Sequence, residues 1–347
     1  MTNKSVLASR YHYVLLATVA ACSQSGQPIE AGIEIPDPTG TSTGLVWARM
    51  SGKEPPMKTE FSMAYDATHQ KIIAFGGRDA NFNNVQETWS YDFETDTWTN
   101  RNPAVSLPWR AFHSMVFNSS RDTIIMFGGD DFAIAYNDLW EYDYQQNTWI
   151  ELTPSRAPPA RQMHGMAFDV ENNVVILFGG RLTGGGAALR DTWEYSAVKN
   201  TWRSLDPAQS PPIQDHVKLG YDEMHNRTIL FSGPRNQNAS SIGTWEYDSE
   251  ANSWSQITTQ VSPTSDHGSF VYNRNSSQFV LVGNRLTSND METWVFDYSS
   301  AEWIFVSSTD TLSYREHFGL AYNDAHDAYI LVGGYPNNEN WLLRLEK

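Results

Sequence analysis

The chain repeats one unit of about 50 residues through almost its whole length, and this repeat limits the possible folds more than any single motif. A typical copy contains an apolar run, two glycines, a loop, a Trp, an aromatic residue two positions later and a second Trp nine positions after the first. The second glycine position recurs every 50 to 53 residues, at Gly77, Gly129, Gly180, Gly233, Asn284 and Gly334. A period of this length is typical of architectures in which each copy is one structural unit.

The paired glycines, followed by a Tyr and a Trp with six residues between them, resemble the kelch-repeat family. Residues 43–347 carry the resemblance, which implies an all-β fold, a β-propeller with four antiparallel strands in each blade. Two copies depart from the pattern, because the fourth has Ser232 before Gly233 and the fifth has Asn284 after Gly283. We expect these departures to change the local turns and not the repeat.

The two ends of the repeat region complete each other. Residues 44–56 match residues 147–159, so the N-terminal piece is a last strand without the three strands that should precede it. The last copy, residues 317–347, stops soon after Trp341 and lacks a second Trp, which Trp47 supplies. We therefore predict a six-bladed propeller whose last blade is closed by the N-terminal strand, so that no sheet edge stays unpaired.

Each complete unit divides into four strands. The second strand is almost continuously apolar, as in residues 174–178, which is typical of a strand buried on both faces. The third and fourth strands carry the first and second Trp, and twelve of the thirteen Trp of the chain occupy these two positions. We predict that these Trp pack between blades. Trp109 falls outside the pattern, in a loop between blades, and is therefore a candidate ligand contact.

The first 21 residues have the features of a signal peptide. Lys4 and Arg10 precede an apolar core at residues 14–21 that is too short to span a bilayer. The end of this core resembles a bacterial lipobox, which implies cleavage before Cys22 and attachment of lipid to that residue. An ordinary secretory signal followed by an incidental Cys is the alternative. Residues 22–42 are rich in Ser, Gly, Pro and Thr and are predicted to be a flexible tether.

These features predict an exported, membrane-anchored lipoprotein that faces the periplasm or the cell surface. The formal net charge of −16 is the opposite of the basic footprint that nonspecific nucleic-acid binding requires, so no nucleic-acid partner is expected. The chain has one Cys and cannot form an intrachain disulfide. We find no catalytic or phosphate-binding motif in the sequence, and we expect a monomer without a cofactor.

Seven Arg residues recur in the loops that propeller geometry places around one mouth of the central channel. Four follow the glycine position and three precede the first strand of a blade: Arg78, Arg181, Arg235 and Arg285, then Arg110, Arg161 and Arg315. On an acidic protein this set indicates a cationic funnel for an anionic ligand, such as a carboxylated sugar or an acidic peptide. The alternative is internal ion pairing, because an acidic residue stands two positions before the first Trp in five of six units.

Five His residues stand at the start of the first strand in successive units: His113, His164, His216, His267 and His317. A ring of His is one pattern that binds metals. However, His113 and His164 lie four positions before the strand's aromatic residue and the other three lie five before it, so the two groups should face opposite ways. Positions spread around a channel are also not expected to converge on one ion. We therefore predict that these His residues bond to the blade backbone and that no metal is bound, with metal binding as the alternative, and we keep His113, His164 and His317 as candidate ligand contacts.

The function that these features predict is binding. A lipid-anchored propeller would bind a protein or glycan ligand through the loops around its channel. Anionic proteins and glycans are among the ligands expected. An enzyme on anionic sugars is the alternative by analogy, because bacterial sialic acid epimerases belong to the kelch family that the chain resembles and are exported six-bladed propellers. That resemblance implies mutarotase or epimerase chemistry at an Arg-rich mouth, although no catalytic residue matches by position.

Overall fold

The computed structural model describes residues 33–36, 42–50, 55–183, 186–212, 216–233, 243–285, 290–337 and 339–345. The regular secondary structure of these described residues consists of β-strands alone. This part of the chain contains no helix that is long and apolar enough to cross a membrane. The predicted leader at residues 1–21, Cys22 and Arg235 lie outside the described residues.

Five four-stranded antiparallel sheets follow two N-terminal strands, β1 (Ile33–Pro36) and β2 (Ser42–Arg49). Blade 1 contains β3 (Ser62–Asp66), β4 (Lys71–Phe75), β5 (Thr88–Asp92) and β6 (Thr97–Asn100). Blade 2 contains β7 (Ser114–Asn118), β8 (Thr123–Phe127), β9 (Leu139–Asp143) and β10 (Thr148–Leu152). Blade 3 contains β11 (Gly165–Asp169), β12 (Val174–Phe178), β13 (Thr192–Ser196) and β14 (Thr201–Leu205). Blade 4 contains β15 (Lys218–Asp222), β16 (Arg227–Ser232), β17 (Gly243–Asp248) and β18 (Ser253–Ile257). Blade 5 contains β19 (Ser265–Asn273), β20 (Gln278–Arg285), β21 (Asp290–Asp297) and β22 (Glu302–Ser313).

The sixth blade joins the two ends of the sequence. A short ladder in its loops pairs β23 (Arg315–Glu316) with β26 (Tyr335–Pro336), and its main sheet contains β24 (Gly319–Asn323), β25 (Ala328–Val332), β27 (Trp341–Leu345), β2 and, at the outer edge, β1. Strand β2 pairs antiparallel with β27, and Trp47 lies opposite Leu343. This register equals that of Trp149 opposite Tyr142 in blade 2. The prediction of a six-bladed β-propeller closed by its N-terminal strand is confirmed.

Strand β1 is an element that the sequence analysis missed, as are the two short strands β23 and β26. Residues 33–36 were expected in the flexible tether, yet they pair with β2, and Ile33 lies opposite Leu45. Ile33 and Ile35 alternate with Glu34, which is the period of a strand. The tether prediction is therefore corrected at these residues.

The Trp residues pack between neighbouring blades, as predicted. The Trp149 ring of blade 2 lies against Phe75 of blade 1, with 5.4 Å between ring centroids, and both belong to one buried cluster. Trp149 Nε1 donates a 2.9 Å hydrogen bond to Thr88 Oγ1 in the same neighbouring blade. Trp254 makes the equivalent bond to Thr192, also at 2.9 Å. Such a Trp closes the contact between two sheets while its one polar group stays hydrogen-bonded.

The first strands of the six blades line a central channel. A ring of apolar side chains divides it: Met63, Met115, Met166, Leu219, Phe270 and Leu320. Cavities of about 200 Å³ and about 260 Å³ lie on either side of this ring. The loops between blades and the loops between second and third strands meet at one end of the channel, which we call the loop face. The hairpin turns lie at the other end, the turn face.

One residue at the start of the first strand of each blade, or two positions before it, has a left-handed backbone. These six residues, which we call the mouth positions, have φ between 44° and 63°: Glu60, Phe112, Met163, His216, His267 and His317. Their backbones are hydrogen-bonded from blade to blade, since Phe112 N donates to Glu60 O and Met163 N donates to Phe112 O, both at 2.9 Å. Residues other than glycine seldom adopt this conformation, and such residues cluster at functional sites. Its repetition in every blade therefore marks the mouth of the channel as a candidate site.

The paired glycines allow two backbones to approach closely. Gly129 has a φ of 87°, and a Cβ atom there would lie 2.6 Å from Ala111 O. In blade 2 the Gly129 backbone N–H also donates to Arg161 O at 2.9 Å. Blade 5 makes the equivalent bond differently, because β20 continues through Asn284 and the Asn284 side-chain amide donates to Arg315 O at 2.7 Å. The departure of the fifth copy from the repeat pattern thus changes the local turn, as expected.

Candidate functional site

Three of the six mouth positions bring imidazole rings together. His216, His267 and His317 come from the adjacent blades 4, 5 and 6, and their ring centroids lie 5.0 to 5.3 Å apart. One ring nitrogen of each lies within 4.8 Å of the other two. A cavity of about 210 Å³ adjoins His216 and His317, and Glu60 and Phe112 also line it. The expectation that positions around the channel do not converge is wrong here, because the left-handed backbone places all three side chains at the channel mouth.

His113 and His164 face the other way, as the one-residue difference in their position predicts. Both are buried between blades, and a Cβ atom added to Gly76 of blade 1 would lie 3.0 Å from the His113 ring. Burial, together with the positive charge of Arg110, holds the pKa of His113 well below its ordinary value. Burial and the charge of Arg161 lower the pKa of His164 to about 3. Both rings are therefore neutral parts of the blade contacts.

Two of the candidate Arg residues are fully buried and paired inside their own blades. Arg110 makes two hydrogen bonds to Asp138, at 2.6 and 2.8 Å, and a third to Gly128 O at 3.0 Å. Arg161 repeats the arrangement with Asp191, with both bonds at 2.7 Å. These are the acidic residues two positions before the first Trp. The internal pairing that the sequence left open as an alternative is thus present in blades 2 and 3, and these guanidinium groups have no surface for a ligand.

The remaining candidate Arg residues differ in exposure. Arg315 is fully buried, with its Nη2 3.4 Å from Glu339 Oε2, and burial lowers the pKa of Arg315 to about 10 in spite of that carboxylate. Arg285 is exposed, and its Nε lies 2.5 Å from the buried carboxylate of Glu292. Arg181 is half-buried. The recurring Arg pattern therefore does not form one continuous cationic funnel among the described residues.

An exposed group of aromatic rings surrounds Arg78 on the loop face. The Arg78 guanidinium carbon lies 3.4 Å from the centre of the Phe132 ring and 6.0 Å from that of Phe82. Trp109 stacks on Phe132 at 5.7 Å, and Phe82 packs against Tyr335 at 4.9 Å. Phe82, Phe132 and Tyr335 are 44, 44 and 50% exposed. We call these five side chains the aromatic patch; it combines Arg78 and Trp109, which the sequence singled out, with three rings that it did not.

Two carboxyl groups beside Arg78 have raised pKa values. Burial raises the pKa of Glu60, and Arg78, 3.2 Å away, counteracts that rise only in part. Burial raises the pKa of Asp130 to about 6. The sequence analysis missed both residues. A signal existed for Asp130, which stands directly after the paired glycines of blade 2, where blades 1 and 3 have Arg78 and Arg181.

Comparison with known proteins agrees with the observed architecture. A family model described as the KLHDC2/KLHL20/DRC7 Kelch-repeats domain matches residues 42–220 and 172–345. Mei4-dependent protein 6 of Schizosaccharomyces pombe is 24% identical over 178 residues, and the dynein alpha chain, flagellar outer arm, of Chlamydomonas reinhardtii is 23% identical over 226 residues. These matches cover 48% and 59% of this chain, but the chain spans only 25% and 5% of those two proteins. N-(sulfonatooxy)prop-2-enimidothioate sulfolyase of Thlaspi arvense is 23% identical over 271 residues, which are 72% of this chain and 76% of that protein.

Proposed function

Because this chain belongs to the kelch-repeat family, whose propellers commonly bind other proteins, we propose that it is an exported, lipid-anchored module that binds a protein ligand at its loop face. The observation that carries the proposal is the aromatic patch. Arg, Tyr, Trp and Phe are the residues most enriched at the centres of protein interfaces, where a few such side chains supply most of the binding energy. The patch places all four types in one cluster, in which Phe82, Phe132 and Tyr335 are exposed and Arg78 and Trp109 are half-buried.

The contacts within the patch fix Arg78 before any ligand arrives. Its guanidinium group stacks on Phe132 and its Nε faces the Glu60 carboxylate at 3.2 Å. A side chain already held in place loses less entropy on binding. A fixed cation among exposed rings suits a peptide segment that carries apolar and acidic side chains together. We therefore propose a protein segment of this chemistry as the ligand.

Site-specific photocrosslinking in the native host tests the patch. A photoreactive phenylalanine analogue is placed at Phe132 or Tyr335, with Met224 as the matched control because Met224 is 69% exposed in a hairpin turn on the turn face. We expect a discrete protein adduct from the two patch positions and none from Met224, and Arg78→Ala should remove the adduct formed at Phe132. Equal crosslinking at all three positions contradicts the proposal. Adducts that free sugars compete away would instead identify a glycan as the ligand.

The proposed membrane anchor depends on Cys22, which follows the apolar core of the leader. We expect the protein to incorporate labelled fatty acid and to sediment with membranes, and Cys22→Ser to do neither. Labelling of the Cys22→Ser variant, or release of the unmodified protein into the soluble fraction, would reject the anchor. The result leaves the patch proposal unaffected, because crosslinking at the loop face is measured separately.

A second candidate function is an enzyme acting on anionic sugars, such as a mutarotase or epimerase of the sialic acid type. Two carboxyl groups with raised pKa values, Glu60 and Asp130, stand beside Arg78 at the mouth, and paired carboxyl groups of this kind serve acid–base chemistry. An assay of sialic acid anomerisation tests it, since Glu60→Gln and Asp130→Asn should each abolish turnover. Absence of turnover by the unmodified protein, or turnover unchanged in both variants, would remove this candidate.

A further inference from the structure

We propose that His216, His267 and His317 form a binding site for a single divalent transition-metal ion of the zinc class. Among the described residues, these three side chains form a group of possible metal ligands in which one nitrogen of each lies within 4.8 Å of the others. The three imidazoles come from three separate blades and meet at one end of the channel. Imidazole nitrogens are ligands that zinc and related first-row ions prefer, and three of them are enough to hold such an ion. Neither the proposed binding of a protein ligand nor the kelch fold requires such a cluster.

The distances agree with an ion after a small movement of the rings. Zinc bonds of about 2.1 Å in tetrahedral geometry place ligand nitrogens roughly 3.4 Å apart. The separation of the three nitrogens in the structure, up to 4.8 Å, exceeds this by about 1.4 Å. Each imidazole ring turns about two side-chain bonds and is half-buried, and His216 and His317 line a cavity of about 210 Å³, so rotation of the rings can bring the three nitrogens closer together.

The backbones of these three residues share one conformation, which brings their side chains toward one another. Each occupies the same mouth position in its blade and shares the left-handed φ, at 55°, 44° and 54° for His216, His267 and His317. The three blades are neighbours in the ring, so the fold repeats one geometry three times around one axis. His267 lies in β19, and His216 and His317 lie two residues before β15 and β24, so strands anchor all three and position the ligand atoms more precisely than one mobile loop would.

A carboxylate stands behind one of the three rings. Glu316 Oε1 lies 3.9 Å from His267 Nδ1, and the Tyr314 hydroxyl donates to the same carboxylate oxygen. Metal-bound His residues commonly present their second ring nitrogen to a carboxylate, which fixes the tautomer and strengthens the ligand. Glu316 is therefore placed to orient His267 so that Nε2 faces the ion. We assign it the role of a positioning residue.

The other side of the cluster leaves a coordination position open. Phe112 lies edge-on to His317 and His216, at 5.2 and 6.1 Å between ring centroids, and supplies no ligand atom. Three protein ligands with an open fourth position are typical of zinc sites that bind water or a small oxygen ligand, whereas structural zinc sites are closed by four protein ligands. The ion would thus be a Lewis acid exposed to the channel mouth.

Direct metal binding tests the proposal. The full chain, without any affinity tag, is stripped with a chelator and titrated with Zn²⁺ in a calorimeter. His216→Asn and His267→Asn are the chosen variants, because Asn tolerates the left-handed backbone better than most residues. His225→Asn is the matched control, since His225 is half-buried and lies 2.9 Å from Asp222 in a hairpin turn on the turn face. We expect one Zn²⁺ per chain, a loss of affinity on the order of 100-fold in each site variant, and no change in the control.

Two further readouts separate a built site from adventitious binding. Co²⁺ in place of Zn²⁺ should give the intense visible absorption of a four-coordinate ion, a signature that needs no variant. Glu316→Gln should weaken Zn²⁺ binding by about 10-fold and leave the stoichiometry unchanged. Loss of Zn²⁺ binding in His225→Asn equal to that in the site variants, or a Co²⁺ spectrum of the hexahydrated ion alone, would overturn the proposal. Arg78→Ala should keep full Zn²⁺ affinity, which makes the metal site separable from the protein-binding patch.

Discussion

Arg161 and Asp191 form a two-point ion pair in which Nη1–Oδ1 and Nη2–Oδ2 are both 2.7 Å. The Arg161 side chain is fully buried and that of Asp191 is 32% exposed. Burial opposes ionisation of Asp191, but the hydrogen bonds and charge of Arg161 outweigh it and lower the pKa of Asp191 below its ordinary value. The pair ties the loop that enters blade 3 to the loop between β12 and β13. Its loss would therefore loosen the loop face of that blade.

Replacing Asp191 should be costly. Asp191→Asn leaves the buried Arg161 guanidinium without its counter-charge, so we expect the free energy of unfolding to fall by about 2–3 kcal/mol. Glu194→Gln is the control in the same blade, because Glu194 pairs at 2.9 Å with Arg203, which is 64% exposed, and such surface pairs contribute less than about 0.5 kcal/mol. Chemical denaturation of both variants checks the difference. Equal losses would show that burial of Arg161 does not make the Arg161–Asp191 pair more stabilising than the Glu194–Arg203 pair.

Asn284 should stabilise the entry to blade 6. Its buried side chain donates to Arg315 O at 2.7 Å and accepts from Arg315 N at 3.3 Å. Asn284→Ala removes both bonds and leaves a buried carbonyl unpaired, so we expect a loss of about 2 kcal/mol in the free energy of unfolding. Asn275→Ala is the control, since Asn275 donates a similar bond to Asp324 O at 2.9 Å at the surface. A loss below that of Asn275→Ala would contradict the role given to Asn284.

The pKa of about 6 at Asp130 predicts how stability changes with pH. The folded pKa lies above the unfolded value near 3.8, so the native state binds the proton more tightly and this carboxyl group lowers stability as pH rises from about 4 to 6. Asp130→Asn removes the buried charge and should raise the free energy of unfolding at pH 7.5 by on the order of 1 kcal/mol, with little effect at pH 4. Thermal unfolding across this pH range measures it.

The neighbouring Asp131 supplies a contrast to Asp130. Hydrogen bonds from the backbone, the first from Ile134 N, lower the pKa of Asp131. Its contribution to stability is therefore present at neutral pH and lost as pH falls through the folded pKa. Asp131→Asn should not gain stability at pH 7.5. A gain equal to that of Asp130→Asn would mean that the net negative charge of the protein, and not burial of Asp130, causes the effect.

Trp47 should matter far more for stability than the half-buried Trp109. Trp47 is buried in the cluster that contains Leu343 and Leu320, whereas Trp109 stacks on Phe132 at the half-exposed edge of the loop face. We expect Trp47→Ala to lower the free energy of unfolding by about 3–5 kcal/mol, since it leaves a cavity where the last blade is completed. Trp109→Ala should cost less than about 1 kcal/mol. Chemical denaturation of both variants compares them, and a small effect at Trp47 would show that the ring is not held closed there.

The fold was predictable because its determinants repeat. Trp149 and its equivalents recur at fixed spacing, and the missing second Trp of the last copy is found at Trp47, so blade number and closure follow from counting. Strand β1 was not predictable by the same means, since it belongs to no repeat. Its only signal is the short alternation of Ile33 and Ile35.

The candidate site was predictable only in part, because periodicity does not report side-chain direction. His113 and His216 differ by one position in their spacing from the aromatic residue of the strand, and the structure places them in different environments. The convergence of His216, His267 and His317, however, depends on a left-handed backbone that their residue type does not predict. Arg110 and Asp138 occupy positions that recur in the repeat, but the repeat does not show that Arg110 is buried and that the two side chains pair with each other. Phe82 and Phe132 stand at different distances from their glycines, so no repeat marked the aromatic patch.

The pairing of β2 with β27 makes the sixth sheet depend on both extremities of the sequence. During synthesis, blades 1 to 5 can each acquire their four strands as the polypeptide emerges, whereas the sixth cannot do so until residue 345 has been made. Until then the edge of β2 that does not face β1 presents unpaired amide and carbonyl groups to any neighbouring strand. The nascent molecule is thus exposed to intermolecular pairing for the entire period of translation, and closure of the ring ends that risk in a single late event.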